Sequence, residues 1–91
     1  MPVNAVCLNI DGERLVHDLE KAIETLDGAG GEVVVDFSPA RRIDPSALRV
    51  MERLAHTADE KAVKVALRGV NVDIYKVLKL MKLAPRFSFQ T

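Results

Sequence analysis

Ninety-one residues, 48% of them apolar and 29% charged, make one domain with one modest core and exclude a disordered chain. Thirteen basic and thirteen acidic side chains cancel to a net charge of zero, which excludes a general nucleic-acid or membrane-surface binder of the usual basic kind. A single cysteine excludes an internal disulfide, and no apolar run approaches the roughly 20 residues of a membrane span.

The first element in chain order is a strand over Ala5 to Ile10, ended by the turn pair Asp11-Gly12. Cys7 lies among Ala5, Val6 and Leu8 and reads as a packed thiol. Arg14 to Leu26 reads as an amphipathic helix. Its Leu15, Leu19, Ala22, Ile23 and Leu26 recur at steps of three and four, with Glu20, Lys21 and Glu24 opposite. Asp27-Gly28-Ala29-Gly30-Gly31 breaks it, and the glycines read as a flexible turn. They precede a strand and lack the Lys-Ser/Thr ending of a phosphate-binding loop.

Val33-Val34-Val35 is a continuous β-branched run, the pattern of a central strand covered on both faces. Asp36 ends it. Pro45 to Ala58 is the second helix, with Ala47, Val50, Met51, Leu54, Ala55 and Ala58 facing inward. Val63 to Leu67 is a third strand, broken by Gly69. Asn71 caps a third helix whose apolar face is Ile74, Val77, Leu78 and Met81. Pro85 stops that helix, and Arg86 to Phe89 reads as a short edge strand. The order β-α-β-α-β-α-β, with strands about every 30 residues, predicts right-handed βαβ units. The expected fold class is therefore α/β: a mostly parallel four-stranded sheet with about three helices packed on it, forming a single domain over residues 1–91.

Charge is uneven along the chain. Residues 1–45 carry nine acidic and four basic side chains, and residues 46–91 carry four and nine, which points to a polar interaction surface. Lys76, Lys79 and Lys82 recur at steps of three. They read as the solvated face of the third helix or as a dock for an acidic partner.

The chemistry concentrates at Asp44-Pro45-Ser46-Ala47-Leu48. Asp44 is a good N-cap, Pro45 fits the first helical position, and Ser46 then falls in the first turn. A hydroxyl there can serve as part of a plain helix start, a nucleophile or a phosphate acceptor. A phosphate on Ser46 would sit among unpaired N–H groups in the favourable field of the helix dipole. It would add close to two negative charges beside Asp44 and repel a partner fitted to the bare helix end. Arg41 and Arg42 precede the cap and either orient Asp44 or contact such a partner. Nucleophilic catalysis needs a base within reach. The two histidines, His17 and His56, lie mid-helix among charged residues, and with Cys7 they lack metal-ligand spacing. No catalytic residue, metal site or cofactor is expected.

Val33-Val34-Val35-Asp36-Phe37-Ser38, followed by Ile43-Asp44-Pro45-Ser46-Ala47-Leu48, resembles the core signature of the STAS domain, the family named for sulfate transporters and anti-sigma-factor antagonists. The likeness extends over nearly the whole chain. Val6 to Glu13 is similar to the family's second strand and Gly-Glu turn, Val63 to Val70 to the strand and turn before the last major helix, and Leu78 to Phe89 to the closing leucine-rich helix and tail.

The resemblance implies a binding domain without catalytic activity, cytoplasmic and bacterial. Its partner would be an ATP-dependent serine kinase that is also an anti-sigma factor. It implies phosphorylation at Ser46, with Asp44, Pro45, Ala47, Arg42 and Arg49 as partner contacts, and no direct nucleic acid and no membrane insertion. A second role of the same family is an accessory subunit of a bacterial ABC-type lipid transporter, held on its ATPase. A small flavodoxin-like enzyme, using Asp36 and Gly69 at the carboxyl ends of the strands, is a third reading.

Several positions depart from the family's pattern. Pro45 stands where it usually has Ser, and Ala47 where it usually has Gly. The segment after Gly12 is about four residues short, and the acidic residue expected after the Gly-Glu turn has no clear match. The family's first strand has no counterpart, which leaves the Ala5–Ile10 strand as an expected edge and predicts a homodimer or other docking there.

Overall fold

The computed structural model describes residues 5–10, 14–29 and 31–90; the side chains of residues 5–7 and 27–29 are outside the described set. Four strands, β1 (Ala5–Asn9), β2 (Glu32–Asp36), β3 (Lys64–Arg68) and β4 (Ser88–Gln90), form one sheet in the order β1-β2-β3-β4. Every neighbouring pair is parallel, with Val6, Val33 and Val65 in one row of the register and Leu8, Val35, Leu67 and Phe89 in another. Three helices, α1 (Leu15–Ala29), α2 (Pro45–Lys61) and α3 (Val72–Leu80), make the connections, and a 3-10 turn (Ala84–Arg86) leads into β4.

When strands are laid down in chain order and each crossover is right-handed, all the helices fall on the same face of the sheet. The core agrees. Val33, Val35, Val65 and Leu67 share one cluster with Leu19 and Leu26 of α1, Met51 and Leu54 of α2, and Ile74 and Leu78 of α3. Val34 and Ala66 point to the opposite face by strand alternation. They are buried but stand outside that cluster. The β-branched run is thus buried on both faces, as its pattern predicts, with the helical cluster on one of them.

The inward face read for α2 is the buried face, all six positions. α1 buries Leu15, Leu19, Ala22 and Leu26, with Ile23 packed at the margin. It also runs to Ala29, three residues past the expected end at Leu26, because one glycine near a helix end costs only about 1 kcal/mol against alanine. The flexible-turn reading of residues 28–31 is thus corrected for Gly28 and Ala29, which are helical. α3 buries Ile74 and Leu78 but leaves Met81, at its C-terminal end, 48% exposed. β4 begins at Ser88 rather than Arg86, after Pro85 has been absorbed into the 3-10 turn. β1 and β4 are the edges of the sheet among the described residues, as expected for β1. The Asp11-Gly12 turn and the Cys7 side chain lie outside the described residues.

Candidate functional site

The loop 37–44 carries the chain from the end of β2 to the start of α2. Phe37 and Ala40 anchor it in the core, at 0% and 3% exposure. The Phe37 N–H donates to the Arg68 carbonyl at 2.7 Å and the Ala40 N–H to the Phe37 carbonyl at 2.9 Å. At the head of the loop the Ser38 N–H donates to Asp36 Oδ1 at 2.8 Å. The Ser38 hydroxyl and then its N–H hold the Asp36 carboxyl below its ordinary pKa, against the opposing effect of burial and with help from the Arg68 charge.

Two groups from the β3–α3 turn fix this loop from the side. Gly69 adopts φ +70°, and a Cβ there would lie 2.2 Å from Ser38 Oγ and 3.1 Å from the Ser38 backbone nitrogen. Asn71 has two tasks. Its Oδ1 accepts from the Ile74 N–H at 2.8 Å and caps α3, while its Nδ2 donates to the carbonyls of Ala40 and Arg41 at 3.3 and 3.2 Å. The amide side chain can do both, since its NH2 supplies two donors where an aspartate has none and a serine only one.

The loop delivers Asp44 in extended conformation as the N-cap of α2, with Pro45 in the first helical position. Asp44 Oδ1 accepts from the Ala47 N–H at 2.8 Å, and the Asp44 carbonyl from the Leu48 N–H at 3.0 Å. Pro45 has no N–H, so the remaining first-turn donor is that of Ser46 itself. Ser46 is exposed, as are Arg41, Arg42, Asp44, Pro45 and Arg49. Arg49 lies one turn on, at the i+3 position that shares a helix face with Ser46. Neither Arg42 nor Arg49 is in an ion pair among the described residues.

Ala47 is 0% exposed and belongs to the core. Its methyl group faces inward and its N–H is held by Asp44. It fixes the helix start that presents Ser46.

Arg42 and Asp44 also line an open cleft of about 700 Å³ shared with Arg14, Leu15, Val16, His17 and Glu20 of the α1 start. The α1 residues had no signal in the sequence, because their proximity to Asp44 comes from α1 and α2 lying side by side. Glu20 and Arg53 bridge those two helices at 3.7 Å. His17 and His56 are both exposed, and His56 stands 3.5 Å from Glu60 on its own helix. Among the described residues no group of three or more His, Cys, Asp or Glu side chains is placed to hold a metal, and no helix is long and apolar enough to cross a membrane.

A small α/β domain with a parallel four-stranded sheet and three helices has the fold of a STAS domain. The STAS family model matches residues 4–91, and the chain belongs to that family. A crystal structure of a Thermotoga maritima protein proposed to be an anti-sigma factor antagonist superposes with a TM-score of 0.72 at 23% identity, covering 100% of this chain and 76% of that one. An NMR structure of the same Thermotoga protein superposes with a TM-score of 0.77 at 17% identity, covering 99% and 76%. No curated protein matches the chain in sequence.

Proposed function

We propose that this domain is a non-enzymatic, cytoplasmic protein-binding regulator of the anti-sigma-factor-antagonist type, switched by phosphorylation of Ser46 by a partner serine kinase. The observation that carries the reading is the placement of Ser46. It is exposed in the first turn of α2, with its N–H open and the unpaired Arg42 and Arg49 nearby.

A kinase needs an accessible hydroxyl, and a switch needs that hydroxyl inside the surface it controls. Before modification the helix end presents the Ser46 N–H, Pro45 and two guanidinium groups to a partner. After it, a dianion occupies the same ground beside Asp44. The partner then meets like charge at Asp44 and loses Arg42 and Arg49 to the phosphate. Ser46, Asp44, Pro45, Arg42 and Arg49 are the residues of this switch.

The test is to incubate the protein with ATP and each candidate serine-kinase anti-sigma factor of its own cell. Mass spectrometry should place one phosphate on Ser46, and calorimetry should show binding by wild type and Ser46→Ala but not Ser46→Asp. Equal binding by Ser46→Asp would sink the switch. A tight complex with a transporter ATPase, unaffected by ATP and by Ser46→Ala, would instead assign the transporter-subunit role.

A further inference from the structure

All four large hydrophobic side chains that are exposed among the described residues lie on α3 or at its end: Val72 at 66%, Tyr75 at 41%, Leu80 at 81% and Met81 at 48%. Val72, Lys76 and Leu80 follow one another at steps of four and form a single ridge on the outer surface of the helix. Tyr75 and Lys79 flank it. The Tyr75 ring meets the edge of Phe89 from β4 at 5.1 Å and 79°. A groove of about 440 Å³ runs beside this pair, walled by Lys79, Lys82, Ala84 and Pro85. On the other flank a hollow of about 480 Å³ is lined by Lys76, Lys79, Leu80 and Lys82. No carboxylate lines either one. None of the three lysines is in an ion pair among the described residues.

We propose that the outer ridge of α3 and the groove along β4 form a second protein-docking surface, whose occupant is an acidic amphipathic helix of a partner protein. Charge and shape both select this occupant. The apolar positions are spaced by helical turns, so their complement is a helix with apolar side chains at the same spacing. The lysines stand between the apolar residues, and glutamates or aspartates beside a partner's apolar stripe would reach them.

A lipid surface fits less well. An interfacial helix keeps its cations on the polar face and its apolar residues together. Here Lys76 lies within the Val72–Leu80 ridge and would be pulled into the acyl layer with it. A second copy of this chain also fits less well. Two of its outer carboxylates are already paired, Glu20 by Arg53 and Asp59 by Arg86. The proposal does not rest on the role of Ser46.

The probe is a stapled helical peptide of Leu, Ala and Glu, with leucines on one face bordered by glutamates; its lysine-for-glutamate counterpart is the control. Titration of the isotope-labelled protein should move the amide signals of residues 72–90 with the acidic peptide alone. Binding should weaken with added salt. The Lys76→Glu/Lys79→Glu/Lys82→Glu variant should lose roughly tenfold in affinity, as three exposed ion pairs allow. Leu80→Ser should weaken binding too, with circular dichroism unchanged in both variants. The proposal is overturned if the acidic peptide leaves residues 72–90 unmoved, if the lysine peptide binds as well, or if charge reversal has no effect. It is likewise overturned if phosphatidylglycerol vesicles or self-association, and not the peptide, perturb the same residues.

Discussion

Ala62 and Lys82 hold left-handed backbone at the ends of α2 and α3, with φ of 56° and 61°. At both places the chain closes in the same way: the next N–H reaches back to the last turn, Val63 to the Ala58 carbonyl at 2.9 Å and Leu83 to the Leu78 carbonyl at 2.8 Å. Val63, Ala58, Leu83 and Leu78 are all buried, so each helix is sealed by an apolar contact across its final turn. A residue with a Cβ is strained in this conformation, and glycine is not. Ala62→Gly should therefore stabilise the fold by about 0.5–1 kcal/mol, read from urea unfolding.

Asp36 makes a contribution of the other kind. Its folded pKa is depressed by the Ser38 hydrogen bonds, so the stability it adds is present above the unfolded value and is lost as pH falls through the folded one. Asp36→Asn should lower the melting temperature at neutral pH, and the gap from wild type should close on titration below about pH 4. At Ser46 a negative charge meets the positive end of α2. Ser46→Asp should hold or raise stability by about 0.3–1 kcal/mol. Loss of partner binding in that variant could then not be attributed to unfolding, and a fall in its melting temperature would contradict the electrostatic argument.

At the scale of elements, the start of α2 is built by the start of α3. Asn71 Nδ2 holds the Ala40 and Arg41 carbonyls, and Gly69 leaves room for Ser38. Asn71→Asp separates its two tasks, because the carboxylate still caps α3 but has no donor for the loop. Hydrogen exchange should quicken in residues 40–44 while α3 keeps its protection; unchanged exchange in the loop would remove Asn71 from the positioning of Ser46. Gly69→Ala should cost about 1–3 kcal/mol through its positive φ, its collision with the Ser38 hydroxyl and its tight approach to the Ser38 backbone.

These two residues mark the limit of what the sequence could convey. Asp44, Pro45 and Ser46 were legible as a helix start because capping acts over three residues. Asn71 was legible as a cap for the same reason. Its grip on a loop 30 residues away depends on β2 and β3 being neighbours, which no local pattern contains. The extension of α1 past Gly28 was hidden by the opposite effect, a strong local breaker overridden at small cost. The exposure of Met81 was hidden because periodicity places it on the apolar side, whereas α3 ends just as that side runs out of neighbours.

At the scale of the whole molecule, the single helical layer makes the two faces of β2 unequal. Val35 packs in the cluster under α1 and α2, and Val34 does not. A hydroxyl buried without a partner costs about 1–3 kcal/mol. Val35→Thr, at 0% exposure, should lose the upper part of that range in chemical unfolding, and Val34→Thr, at 8% exposure and outside the cluster, the lower part. Equal losses would show that both faces are packed as core.

The sheet order β1-β2-β3-β4 repeats the order of synthesis. Among the described residues no strand waits for a later one to be inserted beside it, so each βα unit can settle on its predecessor as the chain leaves the ribosome, and the growing domain is a ratchet rather than a puzzle. Among the described residues the last strand in chain order is the three-residue β4, which completes the groove against α3. So short an edge opens locally with little loss, and its availability to a partner can be governed by how firmly β4 is held.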